Sequence, residues 1–140
     1  MPEKRIKYKS DSIEISFAPK LCIHAAECAN GLPDVFDPNK KPWVDPNAAE
    51  VQEIVDVIEK CPSGALKYQR FDGSENEKPG ETIKIITVPN GPLYVSGDIK
   101  LTNSDGEEIN ETRVALCRCG ASKNKPLCDN THLEVNFNAD

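Results

Sequence analysis

The sequence is poor in the residues and motifs on which most enzymes depend. Its 140 residues include two histidines, His24 and His132, one methionine and one tryptophan. It contains no nucleophile elbow, no histidine-based triad, no Rossmann fingerprint and no phosphate-binding loop. We therefore expect a protein that is not an enzyme with its own substrate and that binds no nucleotide through these motifs.

Long apolar runs and an excess of basic charge are also missing. No stretch approaches the roughly 18 apolar residues that a membrane span needs. The basic opening, MPEKRIKYKS, is followed by no apolar segment of the kind that secretory signals contain. The formal net charge of -6 disfavours nucleic acid as a partner. We expect a cytoplasmic protein that associates with neither nucleic acid nor membranes.

What the sequence does have is cysteine. In a chain that stays inside the cell, six cysteines indicate metal or redox chemistry before structural disulfides. Three of them fall, together with His132, in the segment CRCGASKNKPLCDNTH, residues 117–132. A disulfide within its Cys-x-Cys pair would close a strained, tiny loop. This clustering argues against a disulfide framework and for a metal site.

A change in composition divides the chain. The segment FDGSENEKPG, residues 71–80, is rich in glycine, proline and charge and has no periodicity, which predicts a linker. Residues 1–70 and 81–140 then form two small units. A hydrophobic core alone barely stabilises units of this size, and a bound metal cofactor is a common remedy.

The hydrophobic periodicity of the two units predicts an α+β protein. In the first unit it predicts a ferredoxin-like β-α-β-β-α-β order, with strands at 12–17, 34–37, 41–45 and 65–70 and helices at 23–30 and 46–60. In the second unit, β-branched segments separated by turn residues predict a small β-rich fold. Its strands are expected at 82–88, 92–101 and 112–116.

The four metal-binding candidates of the second unit divide into two pairs. Cys128 and His132 are four residues apart, so they share one face of a helical turn. Cys117 and Cys119 project to the same side of an extended strand. Two pairs suit two irons. A zinc site of three cysteines and one histidine stays open, although zinc fingers usually begin with a wider gap between ligands.

This part of the chain resembles the CDGSH (mitoNEET-like) iron–sulfur family. The family signature is Cys-x-Cys, a Ser or Thr, a Pro, and then Cys-Asp-Gly-(Ser/Thr/Ala)-His. The matching residues are Cys117, Cys119, Ser122, Pro126, Cys128, Asp129, Thr131 and His132. Asn130 replaces the glycine of the signature, and asparagine tolerates a left-handed backbone better than most residues. We therefore expect a CDGSH-type domain in residues 81–140.

The resemblance implies a 2Fe–2S cluster with Cys117 and Cys119 on one iron and Cys128 and His132 on the outer iron. A neutral imidazole in place of a thiolate removes negative charge from the cluster and raises its potential, as in Rieske centres. Because histidine titrates near physiological pH, mild acid should favour loss of the cluster. The ligand set thus implies electron transfer or redox sensing.

Two other functions stay open for this second unit. One is an iron–sulfur cluster carrier, and the other is a zinc-stabilised interaction module. The expected partner is a redox protein or, for a carrier, an apo-protein that accepts the cluster. Members of the family often dimerise through the β-rich part, which leaves a homodimer open.

The first unit resembles a divergent single-cluster ferredoxin domain. CIHAAEC, residues 22–28, has the outline of Cys-x-x-Cys-x-x-Cys with Ala25 in the middle position. The Cys-Pro at residues 61–62 matches the one that ends the ligand set of bacterial ferredoxins. The resemblance implies a second cluster in this unit.

The missing cysteine decides which cluster this unit can hold. Three thiolates, from Cys22, Cys28 and Cys61, suffice for a 3Fe–4S cluster. A 4Fe–4S cluster needs a further ligand, for which His24 is the candidate. A ferredoxin fold that holds no cluster and buries three thiols also stays open.

Overall fold

The computed structural model describes residues 4–22 and 27–140, and it is a mixed α/β structure. Two antiparallel sheets of three strands each form its framework, in the orders β1-β2-β3 and β4-β5-β6. The elements are β1 (Ile6–Lys9), β2 (Ile13–Phe17), α1 (Glu27–Gly31), α2 (Val51–Ile58), β3 (Leu66–Arg70), β4 (Lys84–Thr87), β5 (Leu93–Thr102), β6 (Glu108–Leu116) and α3 (Thr131–Glu134). The predicted α+β class is confirmed at this level, and the ferredoxin-like order stays a prediction.

The core of the first unit lies between its sheet and α2. Ile13 and Ile15 alternate along β2 and are fully buried, which confirms the strand that their spacing predicts. The helix contributes Ile54 and Ile58, which are also fully buried. Its exposed positions are polar, so α2 has one apolar face directed at the sheet.

The predicted strands 34–37 and 41–45 form less sheet than expected. They meet in a single antiparallel bridge between Phe36 and Val44. Two prolines interrupt this stretch, and proline donates no backbone hydrogen bond. Phe36 and Val44 are almost fully buried, so they are held in place by packing in the core and not by a ladder.

The helix predicted at 46–60 begins only at Val51. A turn centred on Asp45 occupies the expected first part. The Asp45 carboxylate accepts the N–H of Asn47 at 3.0 Å, and its carbonyl accepts the N–H of Ala48 at 3.3 Å. Aspartate makes such turns as readily as it caps helices, which explains the difference.

The start of the chain and the first helix also differ from the prediction. Strand β1 was not predicted, and it exists because its backbone pairs with β2 at the edge of the sheet. The helix predicted at 23–30 corresponds to α1, which the structure shows over Glu27–Gly31. Residues 23–26 lie outside the described residues.

A long hairpin of β5 and β6 forms most of the second unit. The pairing runs from Leu93 opposite Leu116 to Thr102 opposite Glu108. At its turn, the Asn103 side-chain oxygen accepts two backbone N–H groups at 3.0 Å. The predicted strands are confirmed, and β6 begins earlier than residue 112. Its last residue, Leu116, directly precedes the first of the C-terminal cysteines.

The two units pack against each other. Residues 71–80 contain no helix or strand, as expected of a linker, but Glu77 pairs with Arg113 of β6 at 3.0 Å. Buried side chains of both units form one apolar cluster: Ala18, Leu21 and Ala65 of the first and Ile109, Val114 and Leu127 of the second. Within residues 4–22 and 27–140, no helix has the length and apolar character needed to cross a membrane.

Candidate metal centres

A short antiparallel contact brings the two halves of the C-terminal segment together. Leu116 and Leu127 form a bridge. Next to it, the N–H of Cys117 donates to the Pro126 carbonyl and the N–H of Cys128 to the Ala115 carbonyl, both at 2.8 Å. The strand β6 therefore pairs with the chain as it returns, and this pairing sets Cys117 and Cys128 beside each other.

The predicted ligands of this segment form two pairs around one cavity. Cys117 Sγ lies 3.9 Å from Cys119 Sγ, and Cys128 Sγ lies 3.6 Å from His132 Nδ1. All four residues line one small cavity. Over the described residues, no three His, Cys, Asp or Glu side chains converge closely enough to hold a single metal ion.

Side-chain hydrogen bonds order the loop between the pairs. Ser122 Oγ donates to the Leu127 carbonyl at 2.7 Å. The Asp129 carboxylate accepts the N–H groups of Lys123 at 2.9 Å and Thr131 at 3.0 Å. These bonds join both ends of the loop, and the loop also contacts the first unit, where the Asn124 side-chain amide donates to the Lys20 carbonyl at 3.0 Å.

The left-handed residue expected at the end of this loop is present. Asn130 has a φ of 71°, and helix α3 begins directly after it at Thr131. Asparagine adopts this conformation more easily than other residues that have a side chain. The loop therefore keeps the turn at the position where the family signature has glycine.

The backbone around the C-terminal cysteines favours thiolates. The N–H groups of Ala121 and Asn130 point at Cys119 Sγ and Cys128 Sγ, at 3.4 and 3.5 Å. Burial raises the pKa of Cys117, but N–H groups of the loop outweigh it and hold that pKa below the ordinary value.

Cys128 behaves in the opposite way. Burial raises its pKa, and the negative charges of Cys117, Asp129 and Cys119 raise it further. Thiolates this close repel each other, and a bound cationic centre would relieve that repulsion. The donor set and its N–H groups therefore fit an iron–sulfur cluster.

Arg118 lies between two of these cysteines and has a role that the sequence did not reveal. Its guanidinium donates to the carbonyls of Val88 at 2.8 Å, Gly91 at 2.9 Å and Ala139 at 3.2 Å. It also lies over the Phe137 ring, 5.2 Å from the centroid. Arg118 thus fastens the C-terminal tail and the β4–β5 turn to the ligand loop. The only sequence signal for this role is the position of an arginine between two predicted ligands.

The cysteines of the first unit come from three separate elements. Cys22 follows the buried Leu21, Cys28 lies in α1, and Cys61 follows the end of α2. Cys22 and Cys28 line a common cavity with Trp43. All three are half-buried.

Cys61 packs against the same apolar core as Cys28 and against the same second core as Cys22. Burial raises the pKa of Cys28, and the charges of Cys61 and Cys22 raise it further. No disulfide joins any of the chain's six cysteines, all of which lie among the described residues. His24, the candidate fourth ligand, lies outside the described residues.

Comparisons with known proteins match two separate parts of the chain. A family described as divergent 4Fe-4S mono-cluster matches residues 8–71, and one described as iron-binding zinc finger, CDGSH type, matches residues 90–133. The chain is also similar to a protein of Escherichia coli strain K12 that is called uncharacterized protein YjdI, and to its namesake in E. coli O157:H7. Each is 39% identical over 62 residues, which make up 44% of this chain and 82% of the relative.

Proposed function

The chain belongs to the divergent 4Fe–4S mono-cluster family and carries a CDGSH-type iron-binding domain, and from this we propose an electron-transfer or redox-sensing function with one cluster in each unit. The membership makes it an iron–sulfur protein. The proposal adds the cluster types, the ligands and the redox function. It also holds that the protein has no substrate of its own and exchanges electrons with a partner protein.

The observation that carries the proposal is the arrangement of the C-terminal ligands in two pairs around one cavity. Cys117 and Cys119 would hold one iron of a 2Fe–2S cluster, and Cys128 and His132 the other. Two pairs support a two-iron centre over a single zinc ion, which needs its four ligands around one point. A 2Fe–2S cluster, when bound, supplies a one-electron redox centre.

The chain's own residues prepare this site for a cluster bound by thiolates. The N–H groups at Cys119 and Cys128 stabilise negative charge on sulfur. Cys128 is only 3% exposed, so this ligand is shielded from water. His132 is half-buried, and this leaves one side of the cavity accessible to a redox partner.

The first unit would hold its cluster through Cys22, Cys28 and Cys61. Their coupled charges support a shared site, and three thiolates suit a 3Fe–4S cluster. A 4Fe–4S cluster, which the family description names, needs His24 or another group as the fourth ligand. We propose a cluster of one of these two types.

Elemental analysis and spectroscopy of the purified full-length protein test the proposal. We expect iron and acid-labile sulfide in more than the amount of one 2Fe–2S cluster, with visible absorption and an electron paramagnetic resonance signal after reduction by dithionite. A colourless protein with stoichiometric zinc and no sulfide would overturn it.

Electron transfer is distinguished from cluster donation by a transfer assay. We expect both clusters to stay bound through cycles of reduction and reoxidation when a purified apo-ferredoxin is present in excess. A cluster that moves to the apo-ferredoxin faster than it decays in buffer would identify a carrier instead.

A further inference from the structure

The side chain of Arg113 projects from β6 of the second unit into the first. It is only 8% exposed. Its Nη1 donates to the carbonyls of Ile58 at 2.8 Å and Cys61 at 2.5 Å, and its Nη2 donates to the carbonyl of Leu66 at 3.0 Å. Nε and Nη2 donate to the two carboxylate oxygens of Glu77, both at 3.0 Å. All five N–H donors of this guanidinium thus have an acceptor.

The three carbonyls belong to one short stretch of the first unit. Ile58 ends α2, where the last carbonyls have no partner within the helix, and Leu66 begins β3. Cys61 lies between them. A cation at the end of a helix is also favoured by the helix dipole. Arg113 therefore ties together both ends and the middle of the loop that carries Cys61.

Backbone packing at the same place shows how closely this loop is seated. Gly64 has a φ of +72°, and a Cβ on it would lie 2.3 Å from the Arg113 carbonyl oxygen. Only glycine allows the loop to approach β6 so closely.

A second arginine also binds the loop. Arg5 donates to the carbonyls of Gly64 at 2.9 Å and Ala65 at 3.1 Å. It also lies 3.6 Å from Glu111, whose side chain is fully buried and which pairs with Lys67 as well. Two arginines thus bind carbonyls of this loop, and acidic residues of the second unit and the linker balance their charges.

The chemistry of this contact is specific to arginine. A planar guanidinium binds a carboxylate with two parallel bonds and keeps three donors for carbonyls, whereas a lysine ammonium has three donors in total. Both side chains are largely buried, so the positive charge of Arg113 needs a partner, and the Glu77 carboxylate provides it.

We propose that Arg113 is a positioning residue for the N-terminal metal site: it fixes the Cys61 loop, so that this site is complete only when the second unit is docked. The proposal rests on the proposed function in one respect, namely that Cys61 is a ligand. If Arg113 acts in this way, the metal content of the first unit depends on the folding of the second.

The test compares Arg113→Lys with Arg70→Lys in the full-length protein. Arg70 is a matched control because it ends β3 of the first unit and also pairs with a carboxylate, that of Asp72, while its guanidinium donates to Asp72 and Gln52 and not to the Cys61 loop. A chelator takes up the released iron, and the decay of each cluster's spectrum measures the rate of release from that cluster. We expect Arg113→Lys to lose the N-terminal cluster about tenfold faster, with the C-terminal cluster unchanged and Arg70→Lys equal to wild type.

Two results would overturn the proposal. One is equal release rates in the two variants. The other is an equal acceleration at both clusters, which would indicate general destabilisation. A urea unfolding curve for each variant, measured in the same buffer, verifies that the proteins being compared are folded.

A second measurement needs no cluster and separates this proposal from the proposed function. In the metal-free protein, alkylation by a maleimide is mapped to each cysteine by mass spectrometry. We expect Arg113→Lys to accelerate modification of Cys61 several-fold and to leave Cys117 and Cys119 unchanged. If Cys61 binds no iron but reacts in this way, the N-terminal cluster is wrong, while the conclusion that Arg113 fixes the Cys61 loop stands. An unchanged Cys61 rate would contradict that function.

Discussion

The two candidate metal centres are built in different ways. All four candidate ligands of the C-terminal centre lie within residues 117–132, and hydrogen bonds inside that segment order the loop between them. The N-terminal centre takes its cysteines from both sides of α2, and the loop of Cys61 is bound by arginines at positions 5 and 113. A local site depends on its own turns, whereas a non-local site depends on how the units pack.

This difference has an energetic origin. Few residues must be ordered to bring the C-terminal ligands together, because the segment closes on itself next to β6. The N-terminal ligands meet only after α2 has packed on its sheet and a long chain has closed, which costs more conformational entropy. The contacts of the second unit with the Cys61 loop oppose part of that cost. We therefore expect the N-terminal centre to be the more sensitive to changes elsewhere in the chain.

The largest expected effect comes from removing one ligand from each centre in turn. Cys128→Ser should abolish the 2Fe–2S spectrum and leave the N-terminal cluster bound, because the two ligand sets are separate. Cys61→Ser should do the reverse. Iron and sulfide analysis with electron paramagnetic resonance measures both, and each variant is the control for the other.

Unchanged iron in Cys61→Ser would show that the first unit holds no cluster. A loss of both clusters in either variant would show that the centres do not assemble independently, and the comparison between a local and a non-local site would then fail.

A smaller effect is expected from the contact between the Cys61 loop and β6. Gly64→Ala should lower the free energy of unfolding by about 3 kcal/mol, because the left-handed backbone and the clash with the Arg113 carbonyl add together. Gly73→Ala is the control. That glycine has a φ of +84° with nothing within 4 Å of the added Cβ, so only the backbone cost of about 1 kcal/mol applies.

Urea unfolding of the two alanine variants measures this difference. Equal free energies of unfolding for them would mean that the close approach of the loop to β6 contributes nothing, and the N-terminal centre would then be less dependent on the second unit than we infer.

The smallest effect is expected inside the C-terminal loop. Asn130→Gly restores the residue of the family signature at a φ of 71°. The relief of backbone strain and the larger entropy of the unfolded chain nearly cancel, so the free energy of unfolding should change by less than about 0.5 kcal/mol. The cluster spectrum should stay the same.

Asn136→Gly is the matched control for this substitution, since Asn136 is exposed and has a φ of 55°. If Asn130→Gly loses its cluster and Asn136→Gly does not, the Asn130 side chain contributes to the site beyond its backbone conformation. The C-terminal centre would then depend on more than the turns of its own segment.

The sequence predicts elements that a hydrophobic pattern marks, and it does not predict those that only backbone hydrogen bonds decide. The alternation around Ile13 and Ile15 was enough to predict β2. Strand β1 was missed, since its backbone becomes a strand only by pairing with β2. Asp45 predicts a helix start because aspartate occurs in both turns and helix caps, and only the bonds to Asn47 and Ala48 distinguish the two.

The sequence by itself determined the ligand types, their spacing and the division into two units, because metal ligation requires particular side chains and the turns between them are short. The tertiary structure alone decided that Arg113 reaches the Cys61 loop and that Gly64 lies against β6. The reason is that the sequence around a buried arginine in a strand does not predict which groups its guanidinium will bind. Its acceptors are backbone carbonyls, which every residue has, and only the packing of the two units selects which of them it binds.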